Sequence, residues 1–208
     1  ANGNLVFINS NGFYFGPSAL VQVGGLIAST LDISNTDFLK GNYVFSGVDS
    51  VAGETVSSSI VNDGIIRADQ GGMAVLVADA IVNNGTIEAP LGTVALAAGE
   101  AVTVGLGADG LVSVMITKET ADKIVDKDGV PLTSQITNTG TLSAYQGWVR
   151  LDAKAADAIF ESAINLEGFI SADSVVNTKI GTVRITADDE IRANATINNQ
   201  YTDVQMKA

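Results

Sequence analysis

The chain has no cysteine and no histidine among its 208 residues. Without cysteine, disulfides cannot hold the fold, and sulfur says nothing of the redox compartment. Without histidine, the commonest general base and the commonest metal ligand are both missing. Aromatic residues are scarce, at 6% of a chain that is 46% hydrophobic. A sandwich or barrel usually carries more large rings, whereas a narrow core of stacked aliphatic side chains does not need them. Basic residues number 11 against 23 acidic ones, giving a net charge of -12. Nucleic acid and anionic membrane both call for clustered Lys and Arg, so neither is expected as a partner. The acidity reads as a solubility device. The most apolar stretch, residues 91–116, is interrupted by Glu100 and Asp109 and chopped by Gly99, Gly105, Gly107 and Gly110. A membrane span needs about 20 consecutive apolar residues, so none is expected. No signal peptide is visible: Ala1 opens directly into a polar turn and a strand.

What is present is repetition. Ile60-x-Asn62-x-Gly64-x-Ile66-x-Ala68 returns as Ile81-x-Asn83-x-Gly85-x-Ile87-x-Ala89 and as Ile136-x-Asn138-x-Gly140-x-Leu142-x-Ala144. A fourth copy, Ile164-x-Leu166-x-Gly168-x-Ile170-x-Ala172, puts Leu where Asn stood. After each copy comes a second strand of the form Gly-x-apolar-x-apolar-x-Ala, at 72–78, 92–98, 147–153 and 181–187. A two-strand unit that cannot bury its apolar face alone must stack on its neighbours. The pattern predicts a solenoid whose turns pair in parallel about 4.8 Å apart. Ile66, Ile87, Leu142 and Ile170 should then stack inward within one sheet. The recurring Gly64, Gly85 and Gly140 mark a corner, where either a positive φ is needed or a side chain would collide with the next turn. Asn62, Asn83 and Asn138 suit an amide ladder at that corner, because Asn readily takes turn conformations.

Before the repeats, residues 1–31 read as short strands separated by Asn-Gly, Gly-Pro and Gly-Gly turns. Residues 34–41 suggest one helical turn, with Ser34 as a cap, Asp37 early, Lys40 late and Gly41 to stop it. Tyr43-Val44-Phe45 returns to strand. In the long gap between the second and third copies, Val102 to Ile116 alternates as one more pair of strands. Residues 117–134 carry many charges and Pro131, and read as an inserted polar loop. Residues 154–163 fit either a short helix or a loop.

The N-terminal third carries a family likeness. The quoted runs are Leu5-Val6-Phe7-Ile8-Asn9-Ser10-Asn11-Gly12-Phe13-Tyr14-Phe15-Gly16, then Val21-Gln22-Val23-Gly24-Gly25 through Ser29-Thr30 to Ser34, then Asp37 to Phe45. They resemble the secretion domain of two-partner-secretion exoproteins, the filamentous haemagglutinin family of adhesins and haemolysins. The family motif reads Asn-Pro-Asn-Gly, a hydrophobic pair, then Phe-Gly. Ser10 stands at the proline position, which softens the turn. Leu91 to Gly99 and Gly110 to Val114 look like the family's next rungs. The resemblance implies an all-β, right-handed parallel β-helix, exported through an outer-membrane transporter with periplasmic recognition domains. Its secretion-motif positions are Asn9, Asn11, Gly12, Phe15, Gly16, Gly24, Gly25, Ser29 and Thr30. The family's capping region and Asn-Pro-Asn-Leu type motif are not found before Ala1, so the chain reads as an interior portion. One β-helix domain over 1–208 is expected, with 1–59 as the motif region and 60–208 as rungs.

Other chemistry finds little support. Asp126-x-Asp128-Gly129 hints at calcium, but Thr133 and Thr137 are poor substitutes for the remaining ligands. Asp188-Asp189-Glu190 with Arg184 and Arg192 resembles an acid cluster of a polysaccharide-active β-helix enzyme, with no second cluster stacked beside it. Asn84-Gly85-Thr86 and Asn194-Ala195-Thr196 match the glycosylation sequon. No enzyme activity and no cofactor is expected. The leading reading is a secreted or cell-surface segment for display or adhesion, with a host or cell-surface receptor or carbohydrate as partner. The alternative is a self-assembling filament or matrix subunit that stacks head to tail, covering an uncapped first turn.

Overall fold

In a computed structural model the chain is described over residues 3–49, 55–56, 58–107, 111–172, 181–198 and 202–208. Each pass of the coil contributes three strands. A leading strand, β1 (Asn4–Ile8), precedes the first pass of β2 (Phe13–Phe15), β3 (Leu20–Val23) and β4 (Gly25–Ser29). An excursion follows, made of β5 (Asp32–Ile33), α1 (Asn35–Lys40), β6 (Tyr43–Ser46), β7 (Val48–Asp49) and β8 (Thr55–Val56). The second pass is β9 (Ser59–Asn62), β10 (Ile65–Ala68) and β11 (Met73–Ala78). The third is β12 (Ala80–Asn83), β13 (Thr86–Glu88) and β14 (Thr93–Ala98). After β15 (Ala101–Leu106) and β16 (Val112–Lys118) come β17 (Ser134–Asn138), β18 (Thr141–Ser143) and β19 (Trp148–Ala153). The fifth pass is β20 (Ser162–Leu166), β21 (Phe169–Ser171) and β22 (Gly181–Ala187), and the last is β23 (Ile191–Ala193), β24 (Thr196–Asn198) and β25 (Thr202–Lys207).

First strands of each pass form one sheet, β2-β9-β12-β17-β20-β23; second strands form β3-β10-β13-β18-β21-β24. Third strands, with β1 at the edge, form β1-β4-β11-β14-β19-β22-β25. All pairings in these three sheets are parallel. Ile66, Ile87, Leu142 and Ile170 are consecutive partners across the second sheet, and each is fully buried. Together with Leu76, Leu96, Leu151 and Ile185 they fill one continuous aliphatic core, with no exposure to water. Burying each such side chain contributes about 1.5–3 kcal/mol, which explains why the core needs few rings.

The solenoid reading holds, and the structure extends it at both ends. Phe13 and Phe15 partner Ile60 and Asn62, and Val21 partners Ile66. Ile191 and Ile197 continue the stacks beyond Ile164 and Ile170. The recurring glycines are explained by collision. Their φ values are not positive; before Gly72, Gly92 and Gly147 the left-handed residue is one position earlier, at Gly71, Leu91 and Gln146, and Gly64, Gly85 and Gly140 have no left-handed residue before them. A Cβ at Gly92 would overlap the carbonyl oxygen of Gly72, and one at Gly140 that of Gly85. Those carbonyls accept the next turn's N–H groups, from Thr93 at 3.1 Å and Thr141 at 2.8 Å. Adjacent turns therefore meet backbone to backbone at the corners.

One expectation fails. Val102 to Ile116 does alternate as two strands, but they add no turn to the coil, and the run Gly110 to Val114 is not a rung. Instead β15 and β16 pair antiparallel, and β15 pairs antiparallel with β6, giving the sheet β16-β15-β6-β5. Gly110 itself lies outside the described residues. This appended sheet covers the outer face of the long sheet, where Ile27, Val75, Val77, Ala95 and Ala97 pack on Phe45, Val102 and Val104. Alternation announces a strand but not its partner. The predicted helical turn is α1: Ser34 accepts from Asp37 N at its start, and Gly41 closes it with φ 72°. Residues 154–161 resolve as a loop bridged to Thr120 through Ala155, with Phe160 buried, and residues 162–163 open β20. No helix among the described residues is long and apolar enough to cross a membrane.

Candidate functional site: the turn before the first pass

The chain leaves β1 and turns sharply into β2, and Asn9 closes that turn alone. Its carbonyl accepts Gly12 N at 3.1 Å, its Nδ2 donates to Gly12 O at 2.9 Å, and its Oδ1 accepts Asn11 N at 3.2 Å. Gly12 adopts φ 97°, in the left-handed region, and a Cβ there would lie 2.8 Å from Ser59 O. The turn tip is exposed, including Asn9 and Asn11. Phe15 is buried and stacks on Phe13 with ring centroids 6.0 Å apart. Tyr14 points the other way and stays 48% exposed.

The remaining motif positions reach the same end of the molecule. Asn9 N donates to Ser29 O at 3.0 Å, joining the turn to the exit of β4. Ser29 Oγ is buried and both donates to Leu31 O and accepts Leu31 N. Thr30 N donates to Val77 O at 3.0 Å. Gly16 O accepts Ala19 N at 2.8 Å, Gly24 O lies where a Cβ on Gly72 would fall, and a Cβ on Gly25 would strike Asn4. Asn62, Asn83 and Asn138 run from this end into the core. Asn62 Nδ2 donates to Asn83 Oδ1 and Asn83 Nδ2 to Asn138 Oδ1, each at 2.7 Å, with all three side chains buried. Phe15 and Leu166 hold the equivalent positions before and after that row. Gly64 N donates to Asn62 Oδ1 at 3.2 Å, and the Gly85 and Gly140 carbonyls accept from the amides at 3.4 Å.

Two residues that carry no local sequence signal, Asp63 and Lys127, complete the surface around Tyr14. Tyr14 donates to Asp63 Oδ2 at 3.0 Å, and the Lys127 ammonium lies 5.1 Å from the Tyr14 ring centroid. The bond to Asp63 pushes the phenol pKa up. A cavity of about 320 Å³ opens between the turn and the inserted loop, lined by Asn11, Gly12, Tyr14, Ser58, Asp126 and Lys127. Asp126, the acid that hinted at calcium, spends its Oδ1 on Asp128 N and Val130 N, both at 2.9 Å. Lys127 pairs with Asp128. The loop is anchored: Ile124 packs with Ala80 and Phe160, and Ser59 Oγ donates to Val125 O at 2.9 Å.

Under the loop lies Asp79, only 1% exposed. Its Oδ2 accepts Ser58 N at 3.0 Å, its Oδ1 has no partner among the described residues, and its carbonyl accepts Thr120 Oγ1 and Gln135 Nε2 at 3.2 Å. Burial pushes its pKa up to about 7, helped by Glu100 and Asp122. The acids at 188–190 spread out along a corner: Asp188 pairs with Lys154 at 3.5 Å and Glu190 with Arg192 at 3.2 Å.

The family described as TPS secretion domain matches residues 1–199. The chain belongs to that family. In structure, this TPS domain is similar to the HMW1 secretion domain from Haemophilus influenzae, with 27% identity and a TM-score of 0.71. The likeness covers 94% of this chain and 48% of that one, so the TPS domain here spans about half the length of the relative. No curated protein sequence matches the chain. The parallel sheets and that match make the fold a β-helix. TPS domains are parts of two-partner-secretion exoproteins.

Proposed function

We propose that this TPS domain steers export of the polypeptide that carries it, through recognition by the outer-membrane transporter of the pair. The surface recognised is the exposed turn at Asn9 to Gly12, shaped by Phe15, Gly16, Gly24, Gly25, Ser29 and Thr30. The supporting observation is that Asn9 alone organises this turn by three bonds while Asn9 and Asn11 remain exposed. A structural role would not require the tip to stay open to water. The exported chain then serves at the cell surface, in display or adhesion.

Asn11→Ala separates recognition from folding, since the hydrogen bond of Asn11 to Asn9 uses its backbone N–H. With the partner transporter co-expressed, the secreted fraction of Asn11→Ala should fall several-fold while the purified domain melts at the wild-type temperature. Secretion at the wild-type level would sink the reading.

A further inference from the structure

Trp148 is the single tryptophan of the chain. It begins β19 on the outer face of the long sheet and is partly exposed. On β4, β11 and β14 that face is covered by the appended sheet, and at β19 the cover ends. Along this boundary Trp148 and Arg150, with Leu111, Val112 and Ser113 opposite, line a cavity of about 330 Å³.

Arg150 is held loosely there. Its Nε and Nη2 lie 3.4 Å from Asp152 Oδ2, and its Nη1 lies 3.5 Å from Val112 O. Charge-assisted arginine bonds run about 2.7–2.9 Å, so each contact is long. Arg184 is the register partner of Arg150 on β22 and is exposed. Like charges set directly opposite on neighbouring strands are destabilising. The acid that both guanidinia act on is Asp152, which is buried and whose carboxyl is pushed up by burial against their pull. Across β19, β22 and β25 this face carries Arg150, Arg184 and Lys207 against Asp152 and Asp203, an excess of positive charge on a chain whose net charge is -12.

We propose that the groove binds an acidic polysaccharide, a chain of uronic-acid rings. The indole offers a flat apolar plane for one ring face, and aromatic side chains supply such area with a polar edge. A planar guanidinium grips a carboxylate through two parallel bonds. The two arginines sit on successive strands about 4.8 Å apart, so a second acid on the next ring finds a second cation. An acidic peptide fits less well. It would add to the free edge of β16, where the Val112 carbonyl already faces Arg150. The site lies four strands along the long sheet from β1, which leads into the turn at Asn9, so it stands or falls apart from the export reading.

The test uses the intact chain, whose fluorescence reports on Trp148 alone. A galacturonic-acid hexamer should change that fluorescence saturably, and a neutral galactose hexamer should not. Arg184→Gln should weaken the affinity by about tenfold, the loss of one good charge-assisted contact. Arg67→Gln, which breaks an ion pair with Glu88 on another sheet, should leave it unchanged. Calorimetry on Trp148→Ala, with its melting curve recorded to show that it is folded, should find the binding lost. No saturable change with the hexamer would overturn the proposal. So would equal affinity for the neutral hexamer, for polyglutamate or for sulfate, or unchanged affinity in Arg184→Gln.

Discussion

The coil and the pieces appended to it are stabilised in different ways. In the coil, one strand locks to the next through repeated register, glycine corners and an amide row. In the appended sheet, β5, β6, β15 and β16 pair antiparallel and rest on the coil through Phe45, Val102 and Val104. A coil turn cannot shift without displacing the turns beside it. An appended element touches the coil on one face and can adjust. Small backbone errors should therefore cost far more in the coil than in what it carries.

The largest contrast should come from glycine. Gly92→Val drives a side chain into the Gly72 carbonyl, a backbone atom with no freedom to move. We expect a loss of about 4 kcal/mol, the range reserved for severe overpacking. At Gly105 in β15 a Cβ meets the end of the Ser113 side chain, which can rotate away. Gly105→Ala should stay within about 0.5 kcal/mol of wild type. Urea unfolding of both variants measures the gap, and equal midpoints would break the comparison.

Next comes the amide row. Asn83→Ala removes the acceptor of Asn62 and the donor to Asn138, leaving two buried amides short of a partner. The expected cost is about 3 kcal/mol, from unpaired buried polar groups. Met115→Ala, on the exposed side of β16 at 59% exposure, should cost almost nothing. Thermal melts of the two variants decide it.

This contrast also marks what the sequence could reveal. Strict periods give themselves away, so the passes from Ile60 to Ala172 and their inward residues were legible. The first pass was hidden because Phe15 stands where the later passes have Asn62. The last was hidden because Ala193 and Ala195 replace both the Asn and the Gly of the pattern in Ile191-x-Ala193-x-Ala195-x-Ile197. For the appended sheet, alternation showed strands in Val102 to Ile116, but antiparallel pairing with a segment as distant as β6 leaves no periodic trace. The motif turn was visible as a family likeness. Its neighbours Asp63 and Lys127 were not, because contacts between residues so far apart in sequence are made only by the winding of the coil.

The inserted loop gives a finer test, because it is appended yet partly buried. Ile124 is 1% exposed, while its neighbour Lys123 is exposed. Ile124→Ala should cost about 2 kcal/mol, at the low end for a buried aliphatic truncation because the loop can close over the gap. Lys123→Ala should be neutral. A melting temperature for Ile124→Ala equal to that of wild type would show that the loop is detached from the coil in solution.

The smallest expected effect lies where loop and coil meet, at Asp79. An unfolded aspartate titrates near 3.8, while the buried carboxyl titrates at about 7. Between those values the folded chain keeps a proton that the unfolded chain has lost. Stability from this group therefore falls as pH rises through the window, and above about 7 the folded state must hold a buried charge. The steepest slope is about 1.4 kcal/mol per pH unit, so roughly 1–2 kcal/mol should be lost between pH 6 and pH 8. Asp79→Asn keeps an oxygen for Ser58 N and removes the charge. It should flatten the profile and gain most over wild type at pH 8. Hydrogen exchange at Thr120 N and Ala156 N, which tie the loop to residues 154–156, should quicken with pH in wild type but not in the variant once the intrinsic rate is divided out. Parallel stability profiles for the two proteins would mean that the carboxyl is solvated, and that the corner beneath the loop is looser than the coil around it.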